Sequence, residues 1–430
     1  MQLEAPVSSK DRLGSQLSSL FDGYRGPAFS VRLWDGWGWN SAADERIQCT
    51  LVVNTPHALL SLASGADEAA LGEEFIHKRL DVKGDLFAAF PVIEFLLQRP
   101  AGLRHRVAEA LLSCAVEVER WFENGLRHSE KRDQASIAYH YDLPVSFYRP
   151  WLGETLAYSC AYFRSIDDSL DRAQTQKLDL ICRKLRLKRG EHFLDIGCGW
   201  GSLVLHAAGQ HHAIAHGITL SREQEAVANR RIAQAGLDSR CNVEFRDYRE
   251  CRELKEEFDK IASVGMYEHV GLSNLPRYFK TVHGLVKPGG VFLNHGIARS
   301  QASVPRKNSF IDRYVFPDGK LVTITQAIEA AEGAGFEVRD VENLREHYEL
   351  TLRKWVEGLK RNENALLKLV PETTYRIWLL YTAGSAAAFH RGDVAVYQVL
   401  LSRPDRGWSR LPLLREDWYG GGLCESYGSS

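Results

Sequence analysis

The chain has 430 residues, 44% of them hydrophobic and 25% charged, and 54 lysines and arginines face 55 aspartates and glutamates for a formal charge of −1. That is globular composition at a length for two or three domains. The balanced charge removes the electrostatic case for a nucleic-acid partner, and no run of about 18 apolar residues is there to span a bilayer. The opening MQLEAPVSSKDRLG lacks the charged-then-apolar pattern of an export signal, so a cytoplasmic compartment is expected. Eight cysteines without a CxxC pair argue against a disulfide framework and against a metal site.

Period-two alternation predicts paired strands through Phe29, Val31 and Leu33 and, beyond a turn at Asp35-Gly36, through Ile47, Cys49, Leu51 and Val53. Glycine-interrupted helical spacing follows over 56–98, and a further helix over 103–122 leads into the polar RHSEKRDQ. A domain boundary is placed near 127–134. Between Tyr139 and Phe163 stand eight Phe, Trp or Tyr residues, more than a plain loop needs. Ser165 with Asp168 resembles a capping box opening an amphipathic helix through Ile166, Leu170, Ala173, Leu178, Ile181 and Leu185.

From Glu191 the chain repeats strand, glycine turn and helix: HFLDIGCGWG, AIAHGITLS, NVEFRDY, FDKIASVGM, and GGVFLNHGI after KPGG. Short apolar runs between helical stretches predict an α/β, doubly wound parallel sheet covered on both faces. Helices are predicted over 324–333, 348–369 and 372–390, a last strand in VAVYQVLLSR, and a frayed glycine-rich end.

LDIGCGWG sets Asp195 at the strand end and glycines at 197, 199 and 201, on the carboxyl edge where such sheets bind ligands. The spacing departs from GxGxxG, and the second strand ends in ITLS without the carboxylate that holds a ribose in dinucleotide enzymes. S-adenosylmethionine therefore fits better than a nicotinamide cofactor. Asp195 would accept from an ammonium or from turn amides, Gln224 would touch ribose or an amide, and Asp247 and Tyr248 would meet an adenine. Each, taken alone, also reads as ordinary turn or loop chemistry.

Together, HYDL (140–143), YSCAYF (158–163), LDIGCGWG, TLSREQ (219–224), RDYRE, SVGMYEHVG (263–271), KPGG, FLNHGI (292–297), IDRYVFPDG (311–319) and HYELTLRKW (347–355) resemble the cyclopropane-fatty-acyl-phospholipid synthase family. The resemblance covers nearly all of residues 135–405. It implies a Rossmann-like class I methyltransferase sheet with added helices over 131–405, and the glycine-rich composition of the end reads as a flexible tail over 406–430. It also implies a smaller α+β N-terminal domain over 1–130, of lipid-binding and dimerisation type. LGEEFIHKRLDVKGDL (71–86) resembles the extra domain of the phospholipid-acting members.

The implied reaction transfers a methylene group from S-adenosylmethionine to the cis double bond of an unsaturated phospholipid acyl chain. An alkene has no proton to lose, so activation is placement. The resulting carbocation needs aromatic faces and exclusion of water, which the aromatic stretch could supply. Ring closure needs a base, in this family a bound bicarbonate. Its implied holders are Cys160, Glu268, His295 and Tyr314, with the Ile297 backbone. The implied cofactor contacts are Tyr158, Ser159, Gly197, Gly199, Thr219, Gln224, Asp247 and Tyr248, with Tyr141 near the sulfonium. Leu156, where the family commonly has methionine, and Pro144, where many members have glycine, bear on tunnel shape.

Read singly, Cys160 is a small buried hydrophobe, His295 structural, Glu268 a cap and Tyr314 a core filler. Rival readings are a lipid methyltransferase giving methyl-branched or methylene products, a small-molecule N-methyltransferase, and a non-enzymatic lipid binder. The last predicts eroded site residues. Docking is expected at the inner membrane face through Arg183, Lys184, Arg186, Lys188 and Arg189, a cluster that reads equally as a solvated helix end. A homodimer is compatible with the resemblance.

Overall fold

The computed structural model describes residues 9–43, 45–63, 68–99, 143–254, 258–302, 310–315 and 321–419. The chain divides into two compact units that interleave in sequence: residues 1–143 with 306–317 and 363–387, and residues 144–305 with 318–362 and 388–430. A single cut near residue 130 does not describe this division. The predicted helix over 103–122, the boundary over 127–134, Tyr141 and the end of the chain beyond 419 lie outside the described residues.

In the first unit, β1 (Phe29–Leu33), β2 (Gly38–Asn40), β3 (Cys49–Val53) and β4 (Leu80–Gly84) form one sheet in the order β2-β1-β3-β4. The turn at Asp35-Gly36, where Asp35 Oδ1 accepts from Trp37 N, leads to β2, while β1 runs parallel to β3. Leu13 and Leu17 of the Ser9–Leu20 helix and Val92 and Leu96 of the Leu86–Gln98 helix close the core over Phe29, Val31 and Leu51. Later parts of the chain belong to the same unit. Arg376 donates to the Phe75 carbonyl (2.7 Å), pairs with Asp81 (3.0 Å) and lies 4.0 Å over the Phe75 ring.

The second unit holds a seven-stranded sheet. Its strands are β5 (His192–Ile196), β6 (Ile214–Thr219), β7 (Cys241–Phe245), β8 (Phe258–Val264), β9 (Val286–Arg299), β10 (Glu337–Asn343) and β11 (Val394–Ser402), in the order β10-β11-β9-β8-β5-β6-β7. The five strands β5 to β9 pair in parallel, and β11 and β10 add antiparallel. Alternation sends Phe193 and Leu293 to one face, against Ile181 and Val204, and Leu194 and Phe292 to the other, against Tyr278 and Phe279. Each such buried side chain contributes about 1.5–3 kcal/mol.

Several expectations are corrected. Ser165 and Asp168 do not open a helix: Asp168 Oδ2 accepts from the Arg164 and Ser165 amides, closing a turn, and Ile166 is exposed. The helix spans Leu170–Lys184, with Ser169 as its cap. The helix predicted over 348–369 runs from Arg345 to Arg361. Residues 406–419 do not fray as a block, because Trp418 is buried in the core of the second unit.

The basic cluster also changes meaning. Lys184 is 0% exposed, paired with Glu342 and Asp340 and packed against the Trp418 ring, and Arg186 pairs with Asp417. Neither presents its charge to a membrane, which leaves Lys188 and Arg189 as the exposed members. Lys184→Met should cost about 2 kcal/mol, below the roughly 3–5 kcal/mol of a fully buried broken pair. Both carboxylates keep some solvent, and Asp340 retains Arg415. Denaturant unfolding of the variant checks this. Among the described residues, no helix is long and apolar enough to cross a membrane.

Candidate active site

Three features converge at the carboxyl edge of β5. The first is the glycine turn. Gly197 adopts φ +80°, and a Cβ there would come within 3.0 Å of Met266. The amides of Gly197 and Cys198 both donate to the Ile218 carbonyl (3.0 Å each), tying the turn to β6. Asp195 is buried, and its Oδ1 has no hydrogen-bond partner. Burial raises its carboxyl to about pH 7 even though Lys177 opposes the shift.

The second feature is the extended segment from Ala157 to Phe163, which has no strand partner. Side chains satisfy much of its backbone: Gln174 Nε2 donates to the Ala157 and Ser159 carbonyls, and Thr351 Oγ1 and His347 Nδ1 accept from the Ala161 and Phe163 amides, while the Tyr162 amide donates to the Ala173 carbonyl (3.1 Å). This gives HYELTLRKW a structural reason, since His347 and Thr351 stand one helical turn apart to hold YSCAYF. Arg231 links the same region to the glycine turn by donating to the Trp200 (2.6 Å) and Thr155 (3.1 Å) carbonyls.

Lys177 was not singled out by sequence reasoning and is central here. It is 2% exposed, and its Nζ donates to Ser159 Oγ (2.9 Å). It interacts electrostatically with Cys160, Asp195 and His295. Burial lowers its ammonium to about pH 8. Cys160 is fully buried, with its thiol near the Ala161 and Leu344 carbonyls, and burial drives that thiol far above its ordinary range. It is a neutral side chain, not a nucleophile.

The third feature is the β8–β9 edge. Glu268 Oε1 accepts from the Ile297 amide (2.8 Å), Tyr267 donates to the Ile297 carbonyl (3.0 Å), and Glu268 Oε2 is buried without a hydrogen-bond partner. Burial raises the Glu268 carboxyl to about pH 7. Gly296 is required by proximity, because a Cβ there would overlap the Tyr267 ring and approach Glu268 Cδ at 3.2 Å. On His295, Gln398 Nε2 donates to Nδ1 (3.2 Å), so the ring proton sits on Nε2, a buried atom with no partner. Burial and the nearby lysines hold this imidazole neutral, at about pH 3.

The remaining predicted positions are distributed as follows. Thr219 Oγ1 donates to Gln224 Oε1 (2.6 Å) at the end of β6, which orients the glutamine amide. Asp247 is held by Arg249, which lowers its carboxyl below the usual range, and Tyr248 stands edge-on to Tyr278. Tyr158 stacks on Trp355 at 5.2 Å, and Phe147 and Trp151 are buried in the same cluster. Much of the aromatic stretch thus packs ring against ring. Tyr314 belongs to the first unit, where its hydroxyl donates to Glu73 (2.8 Å).

An unpartnered buried carboxylate beside a glycine turn suits a ligand that carries an ammonium, as S-adenosylmethionine does. Comparison with known proteins gives the same direction. Residues 128–399 match the family described as mycolic acid cyclopropane synthetase. A probable fatty acid methyltransferase of Pseudomonas putida is 39% identical over 394 residues, 90% of this chain and 95% of that protein. The cyclopropane-fatty-acyl-phospholipid synthase of Escherichia coli strain K12 is 36% identical over 275 residues, 64% and 69% of the two chains. The solved mycolic acid cyclopropane synthase CmaA1, complexed with SAH and CTAB, superposes with a TM-score of 0.57 at 32% identity, covering 62% of this chain and 97% of that one. The chain belongs to the mycolic acid cyclopropane synthetase family and is an S-adenosylmethionine-dependent methyltransferase.

Proposed function

We propose that this enzyme converts the cis double bond of an unsaturated phospholipid acyl chain into a cyclopropane ring. The observation that carries this reading is the pair of buried, unpartnered polar atoms Glu268 Oε2 and His295 Nε2 on adjoining stretches of the sheet edge. A ring nitrogen and a carboxylate oxygen that have no protein partner fit a small oxyanion such as bicarbonate, which has both a proton and acceptor oxygens. Cys160, Glu268, His295 and the Ile297 backbone are the residues that would hold it, and Tyr314 enters by resemblance alone. Bicarbonate bound there would supply the base that ring closure needs. S-adenosylmethionine supplies the methyl group, and Asp195, Gly197, Gly199, Ser159, Thr219, Gln224, Asp247 and Tyr248 are the residues proposed to hold it.

The protein's own groups divide the work. With its proton on Nε2 and its imidazole neutral, His295 donates a hydrogen bond and does not act as the base at neutral pH. Glu268, poised near neutrality, orients the base and can relay the proton that leaves the new methyl carbon while that C–H pair closes the ring. Lys177 and Gln174 fix the segment carrying Ser159 and Cys160, so that the alkene and methyl donor meet in one geometry. Membrane access, an N-terminal lipid-binding and dimerisation role for residues 1–130, and a homodimer belong to the same proposal.

A second reading, a methyl-branched or methylene product, is favoured by the name of the Pseudomonas putida relative, which is similar over 90% of the chain. Mass spectrometry separates the two. Purified protein is incubated with vesicles of cis-unsaturated phospholipid, methyl-labelled S-adenosylmethionine and bicarbonate. A gain of one methylene with loss of oxidative cleavage at the former double bond is the expected result. The same gain with a cleavable double bond would establish the methylene product, and a gain of one methylene with two further hydrogens, in a parallel incubation supplied with a reduced nicotinamide as hydride donor, would establish the branched one. No gain would overturn both.

A further inference from the structure

One cluster of metal-ligating side chains in the second unit has no part in the chemistry above. It brings together Cys182 of the Leu170–Lys184 helix, His206 of the Ser202–Gln210 helix and His211 immediately after it. Their ligand atoms all lie within 4.8 Å of one another. Zinc bonds of about 2.3 Å to sulfur and 2.0–2.1 Å to nitrogen would need only a modest rotation of these side chains. Nε2 of His206 and Nε2 of His211 are both buried and without a hydrogen-bond partner. The imidazoles tilt 49° to each other with centroids 5.8 Å apart, so the rings do not stack on one another.

A fourth donor stands at the rim. Asp179 lies one helical turn before Cys182, and its Oδ1 is 3.6 Å from His211 Nε2 and 4.0 Å from His206 Nε2. Its Oδ2 is already engaged by Arg183 (2.8 Å), which fixes the carboxylate.

Charge balance also favours an ion. A lone thiolate at fully buried Cys182 is costly, but a divalent cation with one thiolate, one carboxylate and two neutral imidazoles sums to zero. Two imidazoles, a thiolate and a carboxylate are a borderline-soft set that selects zinc over magnesium or calcium.

We propose that Cys182, His206, His211 and Asp179 bind one zinc ion, which staples the Leu170–Lys184 helix to the Ser202–Gln210 helix. Binding forms the Zn–S bond as the Cys182 thiol proton leaves to solvent. No position is left open for substrate, so the site is structural. It escapes the CxxC criterion because its donors come from two helices separated by β5.

The test uses the full chain without an affinity tag, stripped of metal and titrated with zinc or cobalt. One equivalent of cobalt should give the intense tetrahedral visible bands together with a thiolate-to-cobalt charge-transfer band in the near ultraviolet. One equivalent of zinc should raise the unfolding temperature by on the order of 5 °C. Cys182→Ala should abolish the charge-transfer band, and His206→Gln with His211→Gln should lower zinc affinity at least about a hundredfold. Absence of stoichiometric binding by the wild-type chain would overturn the proposal whether or not the variants fold. Cobalt binding without a sulfur band, or binding undiminished in the histidine variant, would also overturn it.

Discussion

Glu268→Gln should reduce turnover by about 10²–10³ while leaving S-adenosylhomocysteine affinity within about twofold. The glutamine keeps an oxygen for the Ile297 amide, so the β8–β9 edge stays in register. What it removes is the carboxyl that titrates near pH 7 and can carry a proton away from the reacting carbon. The variant also has a stability signature. A carboxyl raised from 4.5 to about 7 by folding contributes stability that is fully present below its unfolded value and is lost as pH rises through about 7. The glutamine variant should therefore show a flatter fall in unfolding temperature between pH 5 and 8 than the wild type. Labelled-methyl turnover, calorimetric titration and thermal unfolding read the three quantities. Unchanged turnover would remove Glu268 from the proton path.

The second large effect separates ligand binding from folding at one residue. Asp195→Asn should weaken S-adenosylmethionine binding about 10–100-fold at pH 8, the worth of one charge-assisted hydrogen bond. The ligand-free variant should nevertheless be more stable than the wild type at that pH. The buried carboxyl is raised from 3.8 to about 7, so its ionisation above pH 7 costs on the order of 4 kcal/mol that the asparagine avoids. The same shift predicts that ligand binding to the wild type at pH 6 releases a proton, since an ammonium partner restores the charged form. Calorimetry in buffers of different ionisation enthalpy measures that proton. An unchanged dissociation constant would rule out Asp195 as an ammonium contact.

The parallel strands were legible because both faces are covered, so short apolar stretches such as Phe193-Leu194 in β5 and Ile261-Ala262 in β8 fill strands whose side chains are mostly buried. β10 was not, because EVRDVEN sits at the sheet edge with mostly polar, partly exposed side chains and carries no such run. The glycine turn was legible from spacing alone, whereas Lys177 and Gln174 were hidden by residue type. Their signal was positional: Gln174, Lys177 and Lys184 fall at helical spacing on the stripe shared with Ala173, Ile181 and other buried residues. Charged residues there mark buried polar contacts. The reading of Lys184 as a docking residue failed for that reason, since proximity to other basic residues in sequence outweighed its place on the buried stripe. Asp168 misled through the same spacing of three that serves a capping box, which a carboxylate can also use to close a turn.

The edge at β10 bears on how the molecule behaves when concentrated. A strand whose outer hydrogen-bonding side is bare is a template for another chain, and a long apolar one would seed aggregates. Here an incoming strand meets Glu337, Arg339, Asp340 and Glu342 in quick succession, with Arg415 clasped onto Asp340 and donating to the Arg339 carbonyl. The segment that sequence reading set aside as a loose end thus occupies backbone that would otherwise be offered to a neighbour. That contact, with the charged side chains along β10, disfavours pairing of another strand at this edge.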